Sequence, residues 1–252
     1  MPLKGGRTLY GLAVGILMLD TRFPRLPGDV GNAETWPFPV QYAVVRGAQQ
    51  DRIMGPKPDP TLLAPFIDEA RELERLGVRA ITTSCGFLAI FQRELQAEVH
   101  VPVLTSALLQ VPFASRVIGP GKKVGILTER PNLTDRHFEG VGWSARDIPV
   151  VVTAMPEGAV FPTVFIDNAV EADLAVLERE MIEVATRCVR ENPDLGALVL
   201  ECTNFVPFGD LMRRATGLPV YDLYTLVMQS YLSTVGRDFT PRVDGEDVHG
   251  RA

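Results

Sequence analysis

The sequence predicts an α/β protein with parallel sheets, built from two similar halves. Two observations carry this. Short, continuously apolar runs alternate with amphipathic helical patterns, the order expected of strands buried on both faces and covered by helices. One segment also occurs twice: Ala80-Ile81-Thr82-Thr83-Ser84-Cys85 answers to Ala197-Leu198-Val199-Leu200-Glu201-Cys202. In both copies a Pro-Val pair (Pro102-Val103, Pro219-Val220) begins 17 residues after the cysteine, and Phe91 and Phe208 fall in the same register. A shared cysteine weighs heavily in a chain that has only three.

The elements follow in order. Leu12 to Leu17 reads as the first strand, although Lys4 and Arg7 ahead of the apolar run Leu9 to Leu19 imitate a secretory leader. No A-x-A cleavage site follows that run, which favours the strand. From Asp20 to Pro39 the chain is rich in proline and glycine and reads as a long loop, a kind of segment that often carries function. Asn32 and Trp36 are candidates to line a site from it, with Trp36 equally suited to anchor packing. Val40 to Val45 is the second strand. Thr61 to Leu76 is the clearest helix, with Leu62, Leu63, Phe66, Ile67, Ala70 and Leu73 at helical spacing. Asp59 or Thr61 can cap it and Gly77 can stop it. Val78 to Ser84 is a strand ending at Cys85, followed by a helix over 87–98 and a strand at Val101 to Leu104.

The second half repeats this order. Val124 to Leu127 is a strand whose Gly125-Ile126-Leu127 matches Gly15-Ile16-Leu17. Val150 to Thr153 is another. Glu171 to Arg190 is a helix with Leu174, Leu177, Met181, Val184 and Cys188 on one face, so Cys188 reads as a core residue. Leu198 to Glu201 leads to Cys202, then come a helix at Gly209 to Ala215 and a strand at Pro219 to Tyr221. The polar tail from Asp238 on is expected to be loose.

Bulk properties exclude several classes. The chain has 252 residues, 46% hydrophobic and 22% charged, with a net charge of −6. Its 25 basic residues are scattered, so neither nucleic acid nor an anionic membrane is an expected partner. No apolar stretch is long enough to span a bilayer. Three distant cysteines make no disulfide framework, and free thiols suit a reducing compartment, so a cytoplasmic location is expected. His100, His137 and His249 are isolated and no CxxC, HxH or HExxH occurs, so no metal is expected. No phosphate-cradling glycine loop occurs, so no nucleotide cofactor is expected either.

In parallel α/β sheets, ligands sit at the carboxyl ends of strands. Cys85 and Cys202 both fall there, each just ahead of a predicted helix whose N–H groups can hold a carboxylate or a thiolate. Two related thiols, one per half, suggest a substrate lying between two sulfurs.

These residues resemble the cofactor-independent aspartate/glutamate racemase superfamily, with its hydantoin racemase, maleate isomerase and arylmalonate decarboxylase relatives. The resemblance covers nearly the whole chain: two similar α/β halves, a cysteine after a strand in each, and Thr203 after the second. It implies two Rossmann-like lobes related by pseudo-twofold symmetry, with the active site in the cleft. One lobe would comprise residues 1–105 plus 222–252, the other 106–221, with a helix around Leu223 to Thr234 packing back on the first. It also implies a homo-oligomer and no cofactor. Several positions depart from the pattern. Gly86 stands where amino-acid racemases carry Asn, Asn204 where glutamate racemases carry His, and Met18-Leu19-Asp20-Thr21 only loosely matches their Asp-Ser. Arg130 stands where isomerase and decarboxylase relatives place Tyr. Arylmalonate decarboxylases lack the first cysteine, which is present here.

The chemistry expected is general acid–base catalysis. Inverting a carbon beside a carboxyl requires removing a proton on one face and returning it on the other, and two thiols across a cleft can do both. Cys85 and Cys202 are the expected catalytic pair. Backbone N–H groups at Gly86-Phe87 and Thr203-Asn204 would stabilise the enediolate, aided by the side chains of Thr203, Asn204 and Thr128. Arg130 is a candidate carboxylate clamp and otherwise a solvated charge; Asp20 and Thr21 are candidate site residues and otherwise a loop start. The leading expectation is a racemase or epimerase of a small carboxylate or carbonyl compound such as an amino acid or hydantoin. Alternatives are a maleate-type cis–trans isomerase using a cysteine nucleophile, a non-catalytic two-lobed binder, and a Cys85–Cys202 redox switch, disfavoured by the approach a disulfide demands.

Overall fold

The structure, a computed structural model, describes residues 3–54 and 59–236. The tail read from Asp238 on, with His249, lies outside the described residues.

Strand β1 (Val14–Leu19) is buried throughout, and its continuous apolar sequence is what a central parallel strand requires. It pairs with β2 (Val40–Val45) on one side. Helices α1 (Gln50–Met54) and α2 (Leu63–Leu76) then lead to β3 (Ala80–Thr83), which pairs with β1 on its other side. Helix α2 is preceded by a 3-10 turn at Pro60–Leu62 that Asp59 caps through the Thr61 N–H. It ends at Gly77, whose φ of 95° is the left-handed conformation that suits glycine at a helix stop. After β3 the expected helix over 87–98 divides into a 3-10 turn (Gly86–Phe91) and α3 (Gln92–Ala97). Strand β4 (Val103–Leu104) completes a parallel sheet of order β2-β1-β3-β4.

The second sheet copies the first. After a 3-10 turn at Ala107–Gln110 come α4 (Val111–Val117), β5 (Lys123–Thr128), α5 (Asp135–Gly140), β6 (Val150–Ala154), α6 (Val160–Phe165), α7 (Leu174–Glu191) and β7 (Leu195–Leu200). A 3-10 turn at Thr203–Phe208 runs into α8 (Gly209–Thr216), then β8 (Val220–Tyr221) and α9 (Leu223–Val235). The sheet order is β6-β5-β7-β8, all parallel. Val14 pairs with Ala80 in one sheet as Val124 pairs with Ala197 in the other. The first strand begins two residues later than the hydrophobic run suggests, because the ladder to β3 starts at Val14. Helices α1, α4, α5 and α6 have only five to seven residues each, too few to display a helical period in the sequence.

The crossovers tie the halves together. Helix α4 follows β4, yet buries Val111 and Ala114 among Val124, Ile126, Ala197 and Val199 of the second sheet. Helix α9 follows β8, yet buries Leu223, Leu226 and Val227 among Val14, Ile16, Ala80 and Trp36 of the first half. Between them, the Gln110 side-chain amide donates to the Asp222 carbonyl at 2.7 Å and accepts from the Thr225 hydroxyl at 3.1 Å. Apolar burial dominates this joint: each large buried side chain contributes about 1.5–3 kcal/mol, against about 1 kcal/mol for each hydrogen bond. Cys188 is buried on the apolar face of α7, as its spacing predicts.

Candidate active site

The repeat places both cysteines at corresponding strand ends. Cys85 follows β3 and Cys202 follows β7; each is the extended residue that caps its 3-10 turn. Both are free thiols and both are 7% exposed. They line one cleft between the halves, together with Ser84, Gly86 and Phe87 from the first half and Glu129, Glu201, Thr203 and Asn204 from the second. Gln50 and Met54 of α1 close it.

The two turns touch directly. The Thr203 hydroxyl donates to the Ser84 carbonyl at 2.7 Å, and the Ser84 hydroxyl accepts from the Leu19 N–H at 2.9 Å. A Cβ on Gly86 would sit 2.1 Å from the Glu201 carbonyl oxygen and 2.3 Å from its Oε1, so only glycine allows this approach. The cleft is nearly shut: its free volume of about 10 Å³ is about the room one water needs, and a substrate enters only if a wall moves. A hollow of about 290 Å³ at Arg7, Tyr10, Arg79 and Tyr231 is roomier, but no thiol lines it.

Electrostatics distinguish the two thiols. Burial pushes both well above the ordinary thiol range, and the Glu129 and Glu201 carboxylates push them further. Opposing this, the backbone N–H groups of Phe87 and Leu88 favour a thiolate at Cys85, and that of Asn204 at Cys202. Only Cys202 has a side-chain proton acceptor: its thiol donates to Glu129 Oε2 at 3.3 Å. Burial raises Glu129 to about 8, with the bond from Cys202 and the charge of Arg130 working in the other direction. Burial raises Glu201 to about 7, and the Thr128 hydroxyl, donating to its Oε2 at 2.7 Å, offsets part of that. Glu129 Oε1, Glu201 Oε1 and Asn204 Oδ1 are buried acceptors without a partner among the described residues. Among the described residues, those lining the cleft include no Lys, Arg or His.

Of the residues expected from sequence, Cys85, Cys202, Gly86, Phe87, Thr203 and Asn204 come together. The others do not line the cleft. Thr128 lies behind Glu201 and its hydroxyl is spent on that carboxylate. Arg130 is exposed and does not line the cleft, two residues past the end of β5 at Thr128. Asp20 is exposed, and Thr21 accepts a hydrogen bond from Arg25, which also pairs with buried Asp29. Trp36 packs between Phe38 and Tyr224 rather than lining the cleft. Sequence reasoning missed Glu129, Glu201, Ser84, Gln50 and Met54. Glu201 had a signal: it is the one charged residue in the apolar run Leu195–Cys202, and a charge ending a fully buried strand needs a partner or a task.

Two parallel α/β halves, each with a free thiol at a strand end, define a two-lobed α/β protein with a thiol-lined cleft between its halves. The model of the Asp/Glu/hydantoin racemase family matches residues 42–230, and the chain belongs to that family. A dimethylsulfoniopropionate lyase from Durusdinium sp. clade D is 32% identical over 217 residues, covering 83% of this chain and 71% of the relative. Dimethylsulfoniopropionate lyase 3 of Emiliania huxleyi is 26% identical over 219 residues, and there the match spans only 57% of the relative's length. Among solved structures, allantoin racemase from Klebsiella pneumoniae superposes with a TM-score of 0.62 at 18% identity, covering 88% of both chains. Unliganded arylmalonate decarboxylase gives 0.58 at 14%, covering 89% of this chain and 93% of the other. These structural likenesses establish the two-lobed fold. No described helix is long and apolar enough to cross a membrane.

Proposed function

We propose that this protein is a lyase that removes the α-proton of a small zwitterionic carboxylate and expels a neutral thioether from the β-carbon, with dimethylsulfoniopropionate as the first candidate. The observation that carries the reading is the pairing of two buried carboxyl groups, Glu129 and Glu201, with two thiols in a cleft where none of the described lining residues is basic. Unpartnered acceptors on both carboxyls suit a substrate whose head is cationic. The likeness to the Durusdinium lyase supports the same choice.

The chemistry balances without a cofactor. A cysteine thiolate forms an S–H bond with the α-proton. The Cα–H electrons become the Cα–Cβ double bond, and the Cβ–S electrons leave on sulfur as dimethyl sulfide. The products are acrylate, dimethyl sulfide and one proton. Backbone N–H groups of the two turns are the donors available to the substrate carboxylate as charge builds on it. Cys202 is the better base candidate, because its thiol already faces a proton acceptor.

A second reading, racemisation or epimerisation of a small amino acid, is favoured by the presence of a thiol in each half. The test incubates the protein in D₂O with dimethylsulfoniopropionate and, separately, with single enantiomers of small amino acids and hydantoins, followed by proton NMR. Acrylate formation that disappears in Cys202→Ser supports the lyase. Exchange and inversion of an amino acid without acrylate formation replaces it with the racemase.

A further inference from the structure

The two carboxyl groups of the cleft are not equivalent. Glu201 is engaged by the Thr128 hydroxyl, whereas among the described residues Glu129 has no hydroxyl donor and its one side-chain hydrogen bond comes from the Cys202 thiol. Among the described residues nothing corresponding reaches Cys85, whose sulfur meets only the backbone N–H groups of Phe87 and Leu88. From this geometry we infer that Glu129 is the proton partner of Cys202: it takes the Sγ proton when Cys202 works as a thiolate, and it passes that proton out after each turnover.

The inference rests on the reading of Cys202 as a proton-transfer group. An elimination releases one proton per turnover, and the sulfur that collects it is buried. A second elimination cannot begin until that proton leaves. It moves from Sγ to Oε2 of Glu129, breaking S–H and forming O–H, and then to water at the strand end beside exposed Arg130. Glu129 therefore acts through Cys202, as a positioning and relay residue. The charges facing it are Glu201 and Asp167, which oppose its ionisation, and Arg130, which favours it; Cys85 across the cleft is coupled to it as well. Burial also keeps Glu129 near the point where it can both hold and release a proton around neutral pH.

Two strongly interacting groups titrate as a pair, in two steps. The test uses the Cys85→Ser/Cys188→Ser protein, in which Cys202 is the single thiol, and follows ultraviolet thiolate absorbance against pH, with the matching Cys202→Ser protein as baseline. With Glu129 present, the expected signal rises partway, flattens while the pair holds one proton, and rises again. With Glu129→Gln it is expected to rise in one step, and Glu129→Asp should restore two. A single step in both proteins overturns the pairing.

With dimethylsulfoniopropionate and otherwise wild-type protein, Glu129→Gln should slow acrylate formation from the first turnover on, because no carboxylate is left to take the Sγ proton. Its kcat should fall by ~10²-fold and its KM should not rise. An unchanged kcat overturns the relay. The two readings fail separately. A two-step titration in a protein that eliminates nothing sinks the lyase and keeps the pair. Elimination accompanied by a one-step titration sinks the pair and keeps the lyase.

Discussion

The two strand ends that form the cleft share a backbone and differ in nearly every side chain around the sulfur. Ser84 precedes Cys85 where Glu201 precedes Cys202; Gly86 follows the first where Thr203 follows the second. The first end contributes closeness, since Gly86 lies against the Glu201 carbonyl. The second contributes charge, since Glu129 and Glu201 both belong to its half. Positions thus follow from the repeat and chemistry from the departures. A site for symmetric inversion would equip both sulfurs alike, whereas this cleft gives one sulfur an acceptor and leaves the other with backbone alone.

The largest effect expected tests that asymmetry. Cys202→Ser should lower dimethylsulfoniopropionate turnover by ~10³-fold, because a serine hydroxyl is a far weaker acid than a thiol and does not supply the base. Cys85→Ser should cost at least tenfold less by the same reasoning. Steady-state acrylate production by the two variants measures the ratio. Equal losses would remove the asymmetry and return the site to two-base chemistry.

Next in size is the contact at Gly86. Gly86→Ala forces a methyl within 2.1 Å of backbone oxygen, so the turns must separate. Overpacking of this kind costs about 3 kcal/mol, and thermal unfolding should show a clear drop in Tm. At the corresponding register of the second half, Thr203 carries a side chain and uses it to hold Ser84. Thr203→Val should lose only that bond, about 1 kcal/mol. A Gly86→Ala protein as stable as Thr203→Val would show that the close approach is not a constraint.

This contrast also explains what the sequence makes legible. Strand runs, the long helices α2 and α7 and the two cysteines stand out because a buried strand and an amphipathic helix each leave a periodic trace. The placement of Cys85 and Cys202 follows from strand ends alone. What turns beyond a strand end do is not periodic. Glu129 enters the cleft and Arg130 leaves it, one residue apart, and only the path of the chain decides which. The Asp20–Pro39 segment looked functional by composition, yet its side chains serve packing and local bonds: Trp36 stacks on Tyr224, and Arg25 pairs with Asp29. Thr128 was expected on the substrate and instead holds Glu201, a role that depends on a residue 73 positions away.

An effect that appears only as pH rises separates the two carboxyls by stability. Glu201 ionises near 4.5 in an exposed chain and at about 7 in the folded protein, because burial disfavours its charge. Below pH 4.5 it is protonated in both states and costs nothing. Between there and about 7 the unfolded chain ionises while the folded one keeps its proton, so stability falls as pH rises, and above about 7 the loss is complete. Glu129, raised to about 8, extends the same decline to higher pH. Glu201→Gln should therefore remove its share of the decline between pH 4.5 and about 7, leaving the upper part to Glu129, and leave the protein about 3 kcal/mol more stable at alkaline pH, with little change at pH 4. Its amide oxygen can still accept from Thr128, so the strand end stays in place. Denaturant unfolding at a series of pH values measures this. If the variant shows the same slope as the wild type, the folded protein does not hold that proton, and the buried neutral carboxyl is ruled out.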